Sequence, residues 1–311
     1  MSQPFFYCSE LSRQRGEPRY GTASVGEVWL LVEYPFWWGR NAFAESHLPT
    51  AVKTHLTEAL AHIPRARLLL IKQDRPRRPQ LKFFVVRTRE RAPFAVEFTF
   101  TTYEELIDFD IAAAAAGRTG SGNSIVTTEP LYLICTHGRR DKCCAKFGYP
   151  LYRTLRAAGH GNVWQSSHVG GDRFAANLIC YPHGLFYAHV TEADAQTIIH
   201  AYDEQRIVPG KYRGRACYGH AVQAAEYFVR AESGLDGLAD VYLLNRARVA
   251  ENSWRVNFAA PRVGRVYEAL VSSRVSAFHQ FLACNATEEK SVEQFGLDDY
   301  RVTSDHTLAP A

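Results

Sequence analysis

The sequence predicts an α/β fold, with helices placed between short apolar strands. Runs of five to seven apolar residues, bounded by glycine or proline, are typical of buried strands. Stretches with an apolar residue every three or four positions lie between these runs and indicate helices. The chain has 311 residues, of which 46% are hydrophobic. Because this length exceeds the usual size of one hydrophobic core, we expect more than one structural unit.

The first part of the chain predicts a strand, a helix and then three strands. The strands are expected at residues 28–34, 67–72, 81–87 and 94–100, and the helix at 49–62. A second helix is expected to begin near Thr102, to run through the alanines at 112–116 and to end at Gly117. The glycine-, serine- and threonine-rich residues 117–130 that follow are the predicted domain boundary.

The middle of the chain has a clearer order of elements. We expect a strand at 131–136, a helix at 144–158, a strand at 162–168, a hairpin at 177–190 and a helix at 193–205. This order matches a thioredoxin-like sheet, in which functional residues lie at the carboxyl ends of strands. A basic loop at 210–215, a helix at 221–232 and strands at 240–244, 254–259 and 264–271 follow, and the last dozen residues are expected to be frayed.

Composition excludes several classes of function. The 36 basic and 32 acidic residues give a net charge of only +4, without the long basic stripe typical of nucleic-acid binding. Seven cysteines, two of them adjacent, make a poor disulfide framework and favour a reducing compartment. The N-terminus shows no secretory signal, and no apolar run approaches the roughly 18 residues of a membrane span. A cytoplasmic protein that binds neither membrane nor nucleic acid is therefore expected.

Two short segments contain ligands that suit a metal. Cys135 ends a predicted strand and Cys144 begins the next helix, where the helix dipole favours a thiolate. His168 and Asp172 flank a Gly-Gly pair that permits an unusual backbone turn. Thiolate, imidazole and carboxylate groups are ligands of zinc and of iron–sulfur centres. Taken alone, the cysteines could equally be small buried apolar residues.

The same segments resemble a known protein family. The sequences CTHGRRDKCCA from Cys135 and VWQSSHVGGDRFAAN from Val163, with YRGR at 212–215 and QAAE at 223–226, are similar to the sucrase/ferredoxin-like family of thioredoxin-like ferredoxins. The resemblance covers residues 20–235. It implies a [2Fe–2S] cluster whose ligands, carried over by position, are Cys135, Cys144 and His168, with Asp172 where some members have a second histidine. The fourth ligand could instead be Cys143, Cys180, His137 or water.

The glycine-rich boundary and the extent of the resemblance together predict a division of the chain into three parts. Residues 1–125 would form an N-terminal α/β domain that is a degenerate thioredoxin-like copy, because residues 28–34 weakly echo residues 131–137 without cysteines. Residues 126–235 would form the thioredoxin-like ferredoxin domain with the [2Fe–2S] cluster. Residues 236–311 would form a β-rich C-terminal extension with a frayed tail.

An electron-transfer protein is the function that the resemblance implies. It would accept an electron from an unknown reductase and pass it to an unknown acceptor, as a redox carrier rather than a stand-alone enzyme. A zinc-binding structural module at the same four residues is one alternative, and a thiol–disulfide redox protein is another. The adjacent Cys143 and Cys144 disfavour the thiol–disulfide reading, because adjacent cysteines make a strained bridge. We find no paired carboxylates suited to glycoside hydrolysis.

Overall fold

The computed structural model describes residues 6–74, 79–118, 124–126 and 129–304. Its α-helices are α1 (Cys8–Gln14), α2 (Thr50–His62), α3 (Ile111–Ala115), α4 (Tyr149–Ala157), α5 (Glu192–Asp203) and α6 (His220–Ser233). Its first strands are β1 (Val28–Glu33), β2 (Ala66–Lys72), β3 (Leu81–Arg87), β4 (Phe94–Phe100), β5 (Ser124–Val126), β6 (Leu131–Cys135) and β7 (Val163–Ser166). The remaining strands are β8 (Leu178–Tyr181), β9 (Leu185–Tyr187), β10 (Tyr212–Arg215), β11 (Tyr242–Ala250), β12 (Ser253–Ala260), β13 (Arg265–Gln280) and β14 (Lys290–Ser304).

Ten strands form one mixed sheet in the order β10-β9-β8-β6-β7-β2-β1-β3-β4-β5, which confirms the predicted α/β class. Both halves of this sheet have the same topology. β1 pairs parallel with β2 and antiparallel with β3, just as β6 pairs parallel with β7 and antiparallel with β8. The halves meet where β2 and β7 pair antiparallel, with Ile71 opposite Ser166. We propose that this repeat reflects a duplication. The domain boundary near residue 125 stays a prediction, and the repeated topology supports it.

The sheet is buried on both faces, which explains why β1 and β6 are continuous apolar runs. Alternate residues point to opposite faces of a strand. Val28, Leu30 and Val32 therefore pack in the core beside α2, whereas Trp29 and Leu31 pack in a second core that they share with residues of the other half. This shared core contains the Cys135 and Cys144 side chains.

The last four strands form a separate antiparallel sheet, β11-β12-β13-β14. Helix α6 covers it through Val222 and Val229, which belong to the same core as Val256 and Phe258. In the turn between β13 and β14, Phe281 stacks on Phe6 with ring centroids 4.3 Å apart. The C-terminal sheet thus contacts both α6 and the segment that leads into α1.

Two predicted helices differ from the structure. The helix expected at 102–116 is a 3₁₀ turn at Glu104–Leu106 followed by the five-residue α3. The break occurs because the Asp110 carboxylate accepts a hydrogen bond from the Ala113 N–H, which makes it the N-cap of a new helix. The helix expected from Cys144 begins with one π-helical turn, Cys144–Gly148. Gly148 is needed there, because a Cβ atom would collide with the carbonyl of Cys135.

Other segments were predicted differently or fall outside the described residues. The predicted basic loop at 210–215 contains strand β10, in which Arg213 and Arg215 are buried. Helix α1 and strand β14 have no counterpart in the prediction. Strand β14 continues to residue 304, and the rest of the tail predicted to be frayed lies outside the described residues. The same holds for residues 75–78 and for half of the glycine-rich segment 117–130, namely residues 119–123 and 127–128.

Candidate metal centre

Two cysteines meet where a central strand turns into a helix. Cys135 is the last residue of β6, and Cys144 is the first residue of the π-helical turn that leads into α4. The intervening loop turns back on itself because the N–H of Asp141 bonds to the carbonyl of His137 and the N–H of Cys144 bonds to that of Asp141. Both cysteines are almost fully buried, with 1% and 0% of their surface exposed.

The glycine turn after β7 brings a histidine and an aspartate to the same place. Gly170 and Gly171 have φ values of +87° and +78°, so the turn has the left-handed backbone that the Gly-Gly pair indicated. The His168 Nδ1 atom lies 3.0 Å from the Asp172 Oδ1 atom. The same Asp172 oxygen accepts a hydrogen bond from the Cys144 thiol at 3.6 Å. All four predicted site residues are therefore neighbours in the folded chain.

Three of the four form a compact donor group. One ligand atom each from Cys135, Cys144 and His168 lies within 4.8 Å of the others. Asp172 is outside this group but contacts two of its members. The His168 Nδ1 atom is buried and lies 3.0 Å from the Asp172 Oδ1 atom. A carboxylate beside one ring nitrogen orients the imidazole, as it does for metal-binding histidines.

The electrostatics of the group also suit a cation. The hydrogen bond from the Cys144 thiol, together with contacts from His168, holds the pKa of Cys135 well below its usual range despite burial. The hydrogen bond between Cys144 and Cys135, together with burial, raises the pKa of Cys144. Burial lowers the pKa of His168, but hydrogen bonds to Asp172 and Cys135 outweigh it and raise the value to about 9. These shifts favour the thiolate form of Cys135, which is the form that binds a metal.

The other candidates for a fourth ligand point elsewhere. The Cys143 Sγ atom lies 3.1 Å from the Sγ atom of Cys284, in a different group of side chains. Cys180 is part of the core of the second half-sheet, beside α4 and α5. His137 uses both ring nitrogens: Nε2 lies 2.7 Å from the Gly39 carbonyl oxygen and Nδ1 accepts a hydrogen bond from the His168 N–H. The adjacent cysteines therefore diverge, and only Cys144 faces Cys135.

A buried arginine holds the glycine turn in place. Arg213 Nη1 donates to the Gly170 carbonyl at 3.2 Å and to the Asn177 side-chain oxygen at 2.7 Å. A Cβ atom on Gly171 would lie 2.5 Å from Arg213 Nη2, so only glycine fits against this guanidinium. The YRGR motif contains this residue, but no local pattern indicated that its side chain would reach the turn bearing His168.

His168 also borders a surface cavity of about 210 Å³. Its lining includes the side chains of Arg40, His137, Arg140 and His168. No local pattern indicated that residues 40–43 would border this cavity. The donor group is therefore buried on its cysteine side and reachable from solvent on its histidine side.

A protein-family model for sucrase/ferredoxin-like proteins matches residues 19–214. The chain belongs to the sucrase/ferredoxin-like family. Three curated relatives are all named "Altered inheritance of mitochondria protein 32". The protein from Meyerozyma guilliermondii is 34% identical over 98 residues, covering 28% of this chain and 35% of that protein. Those from Candida glabrata and Eremothecium gossypii are 22% identical over 168 residues and 28% identical over 116 residues.

The matches to these relatives are partial. The Candida glabrata match covers 45% of this chain and 51% of that protein, and the Eremothecium gossypii match covers 32% and 36%. The chain thus spans between about a third and a half of the length of the curated relatives that it matches. No solved structure matches the chain.

These comparisons contradict the predicted function. The family member was expected to be an electron-transfer protein with a [2Fe–2S] cluster, served by a reductase and an electron acceptor. The relatives are instead named for the inheritance of mitochondria, and neither their name nor the family match indicates an iron–sulfur electron carrier. The prediction of an electron carrier is therefore wrong. The clusters of cysteine, histidine and aspartate that could bind a metal remain.

Within the described residues, no helix is both long enough and apolar enough to cross a bilayer.

Proposed function

We propose that this protein binds a thiophilic transition metal at Cys135, Cys144 and His168. The observation that carries the proposal is the convergence of two buried sulfurs and an imidazole nitrogen within 4.8 Å of one another. These residues come from the end of β6, the start of the π-helical turn and the turn after β7. A metal bound there would tie three segments of the second half-sheet together.

Two thiolates and one imidazole favour soft and borderline metals over magnesium or calcium, which prefer oxygen ligands. A zinc ion is one occupant that this set of ligands accepts, with Asp172 near enough to be the fourth ligand after a small movement. A [2Fe–2S] cluster is the other occupant with mixed cysteine and histidine ligands. Where Asp172 is not itself a ligand, it would orient the imidazole, because its carboxylate contacts the ring of His168.

Metal analysis of the untagged protein, purified with reductant and without oxygen, tests the proposal. Zinc, iron and acid-labile sulfide would be measured in the wild type and in the variants Cys135→Ala, Cys144→Ala and His168→Ala. We expect each variant to lose the metal of this site, because each removes one of three converging ligands. Cys180→Ala is the matched control, since Cys180 is equally buried but lies outside the group.

The result also identifies the occupant. Zinc alone would indicate a single ion, whereas iron with an equal amount of sulfide would indicate a [2Fe–2S] cluster. A wild-type protein whose metal content equals that of Cys135→Ala and Cys144→Ala, both purified in the same way, would refute the proposal.

We also propose that the protein works in a reducing compartment, in agreement with the cytoplasmic location that the sequence predicts. All seven cysteines are free thiols, including pairs whose sulfurs are close enough to contact each other. An oxidising compartment would convert such pairs to disulfides.

A further inference from the structure

We propose a second metal site, in which Cys8, Cys143 and Cys284 supply three thiolates and Asp141 supplies a carboxylate to one zinc ion. One ligand atom from each of these four residues lies within 4.8 Å of the others. The site is independent of the one at Cys135, because the adjacent side chains of Cys143 and Cys144 point into different groups.

The spacing of the three sulfurs is the first argument. The Sγ atoms of Cys8 and Cys143 are 3.6 Å apart, those of Cys8 and Cys284 are 3.5 Å apart, and those of Cys143 and Cys284 are 3.1 Å apart. Zinc–sulfur bonds of about 2.3 Å in a tetrahedral site would place sulfurs about 3.8 Å apart, so a small expansion admits the ion. All three distances are far from the roughly 2.05 Å of a disulfide.

The backbone around the sulfurs is the second argument. The N–H of Cys8 donates to the Sγ atom of Cys284 at 3.4 Å, and the N–H of Ser9 donates to that of Cys143 at 3.5 Å. Hydrogen bonds from backbone amides stabilise sulfur in its thiolate form, which is the form that binds metal. Simple apolar packing of three thiols would not require amides directed at two of them.

Asp141 is held by the same residues. Its Oδ1 atom accepts a hydrogen bond from the Cys143 N–H at 2.8 Å, and its Oδ2 atom accepts one from the Cys284 N–H at 2.6 Å. Both carboxylate oxygens lie 3.9 Å from the Cys8 sulfur. The carboxylate is therefore fixed at the edge of the sulfur triangle, where it can complete a four-coordinate site.

Aromatic rings in contact with basic side chains lie beside the three cysteines. Tyr7 and Phe147 pack against the cysteines. The ammonium of Lys142 lies 5.4 Å from the ring centre of Tyr7, and that of Lys146 lies 5.8 Å from it. The guanidinium of Arg13 lies 5.6 Å from the ring centre of Phe147. Three cations thus lie over aromatic rings that pack against the cysteines.

The arrangement of the chain gives the site a role. Cys8 begins α1, Cys143 precedes the π-helical turn, and Cys284 lies in the turn between β13 and β14. These segments are separated by up to 276 residues in sequence. A zinc ion there would join the N-terminal helix and the C-terminal sheet to the loop that also carries Cys144.

Zinc stoichiometry of the reduced, metal-free, untagged full chain tests the site. After zinc addition and dialysis, we expect the wild type to retain one more zinc ion per chain than Cys284→Ser, because the variant removes one ligand from a partly exposed turn. Cys217→Ser is the control, since Cys217 is also partly exposed and lies outside both groups. An equal zinc content in wild type and Cys284→Ser would overturn the proposal.

Alkylation of the wild type gives a second measurement that needs no variant. We expect zinc to protect the peptides that contain Cys8 and Cys284 from a maleimide, and a chelator to remove this protection. Equal labelling of both cysteines with and without zinc would overturn the proposal. Cys135→Ser removes a ligand of the other group only. Its metal content therefore tests the proposed function, and the zinc content of Cys284→Ser tests the second site independently.

Discussion

The backbone of the turn between His168 and Asp172 requires glycine at position 171. Its φ of +78° belongs to the left-handed region, and a Cβ atom there would also press on Arg213. We expect Gly171→Ala to destabilise the fold by about 1–2 kcal/mol through backbone strain, and by more through the collision. Urea unfolding followed by circular dichroism would measure the difference.

A second glycine provides the control for this variant. Gly159 has a φ of +88° and no neighbour within 4 Å of an added Cβ atom. Gly159→Ala therefore carries the backbone strain without the collision. If both variants lose the same stability, the contact between Gly171 and Arg213 does not constrain the turn.

His189 gives the stability of the protein a dependence on pH. The side chain is buried, and burial together with nearby arginines lowers its pKa from 6.5 to about 3. Between these values the unfolded chain binds a proton that the folded chain does not bind, so stability must fall as the pH drops from 6.5 towards 3. We expect His189→Asn to show a shallower fall in urea midpoint over this range, because asparagine tolerates the positive φ of this position and does not titrate.

The exposed His62, the last residue of α2, is the control for the pH experiment. Replacing it with asparagine should leave the acid slope of the wild type unchanged. An identical slope in the wild type and in His189→Asn would show that this buried histidine does not contribute.

Individual donors were predictable from the sequence, but their partners were not. Cys135, Cys144, His168 and Asp172 each follow or begin an apolar element, and the structure places all four together. Nothing in the local pattern could show that Cys8 and Cys284, 276 residues apart, would share one point with Cys143. Such contacts depend on tertiary packing rather than on periodicity.

At the scale of elements, the YRGR and QAAE motifs join β10 to α6 by buried charges. Glu226 accepts hydrogen bonds from Arg215 at 2.8 Å and Arg230 at 3.1 Å, and all three side chains are at most 1% exposed. Tyr212 donates to the same carboxylate at 2.9 Å. The motifs thus build a structural network rather than a substrate site.

Removing the charge of Glu226 should therefore be costly. Glu226→Gln leaves two guanidinium groups buried without a counter-charge, and we expect a loss of about 3–5 kcal/mol in unfolding free energy. Glu204→Gln removes an exposed partner of Arg206 and should leave the urea midpoint nearly unchanged. A stable Glu226→Gln protein with the wild-type midpoint would contradict the structural role of the network.

The elements that were predicted well are those whose pattern is governed by burial. Strands β1 to β4 and β6 to β8 are short apolar runs, and the structure has them within a few residues of the predicted bounds. The elements that were predicted wrongly have local causes. Asp110 caps a new helix just before the alanine-rich segment, and β10 was predicted as a loop because its basic residues are buried in ion pairs. A charge normally indicates exposure, so its burial cannot be read from periodicity.

At the scale of the whole molecule, metal binding should couple distant parts of the chain to its stability. A ligand that binds only the folded state raises the unfolding temperature. We expect zinc to raise the Tm of the wild type, and a chelator to reverse the rise. Calorimetry on Cys135→Ser and Cys284→Ser should show a smaller rise in each, because each retains one of the two proposed sites.

The combined variant completes this experiment. Zinc should leave the Tm of the protein carrying both substitutions unchanged. A full wild-type rise in that protein would mean that zinc stabilises the fold at other residues.

Anomalous X-ray diffraction from crystals of the metal-loaded protein, recorded on both sides of the absorption edge of the bound metal, tests the central claim most directly. The account predicts an anomalous peak bounded by the sulfurs of Cys135 and Cys144 and the imidazole of His168. Well-ordered side chains with no peak between them, in crystals of protein shown to contain metal, would contradict it.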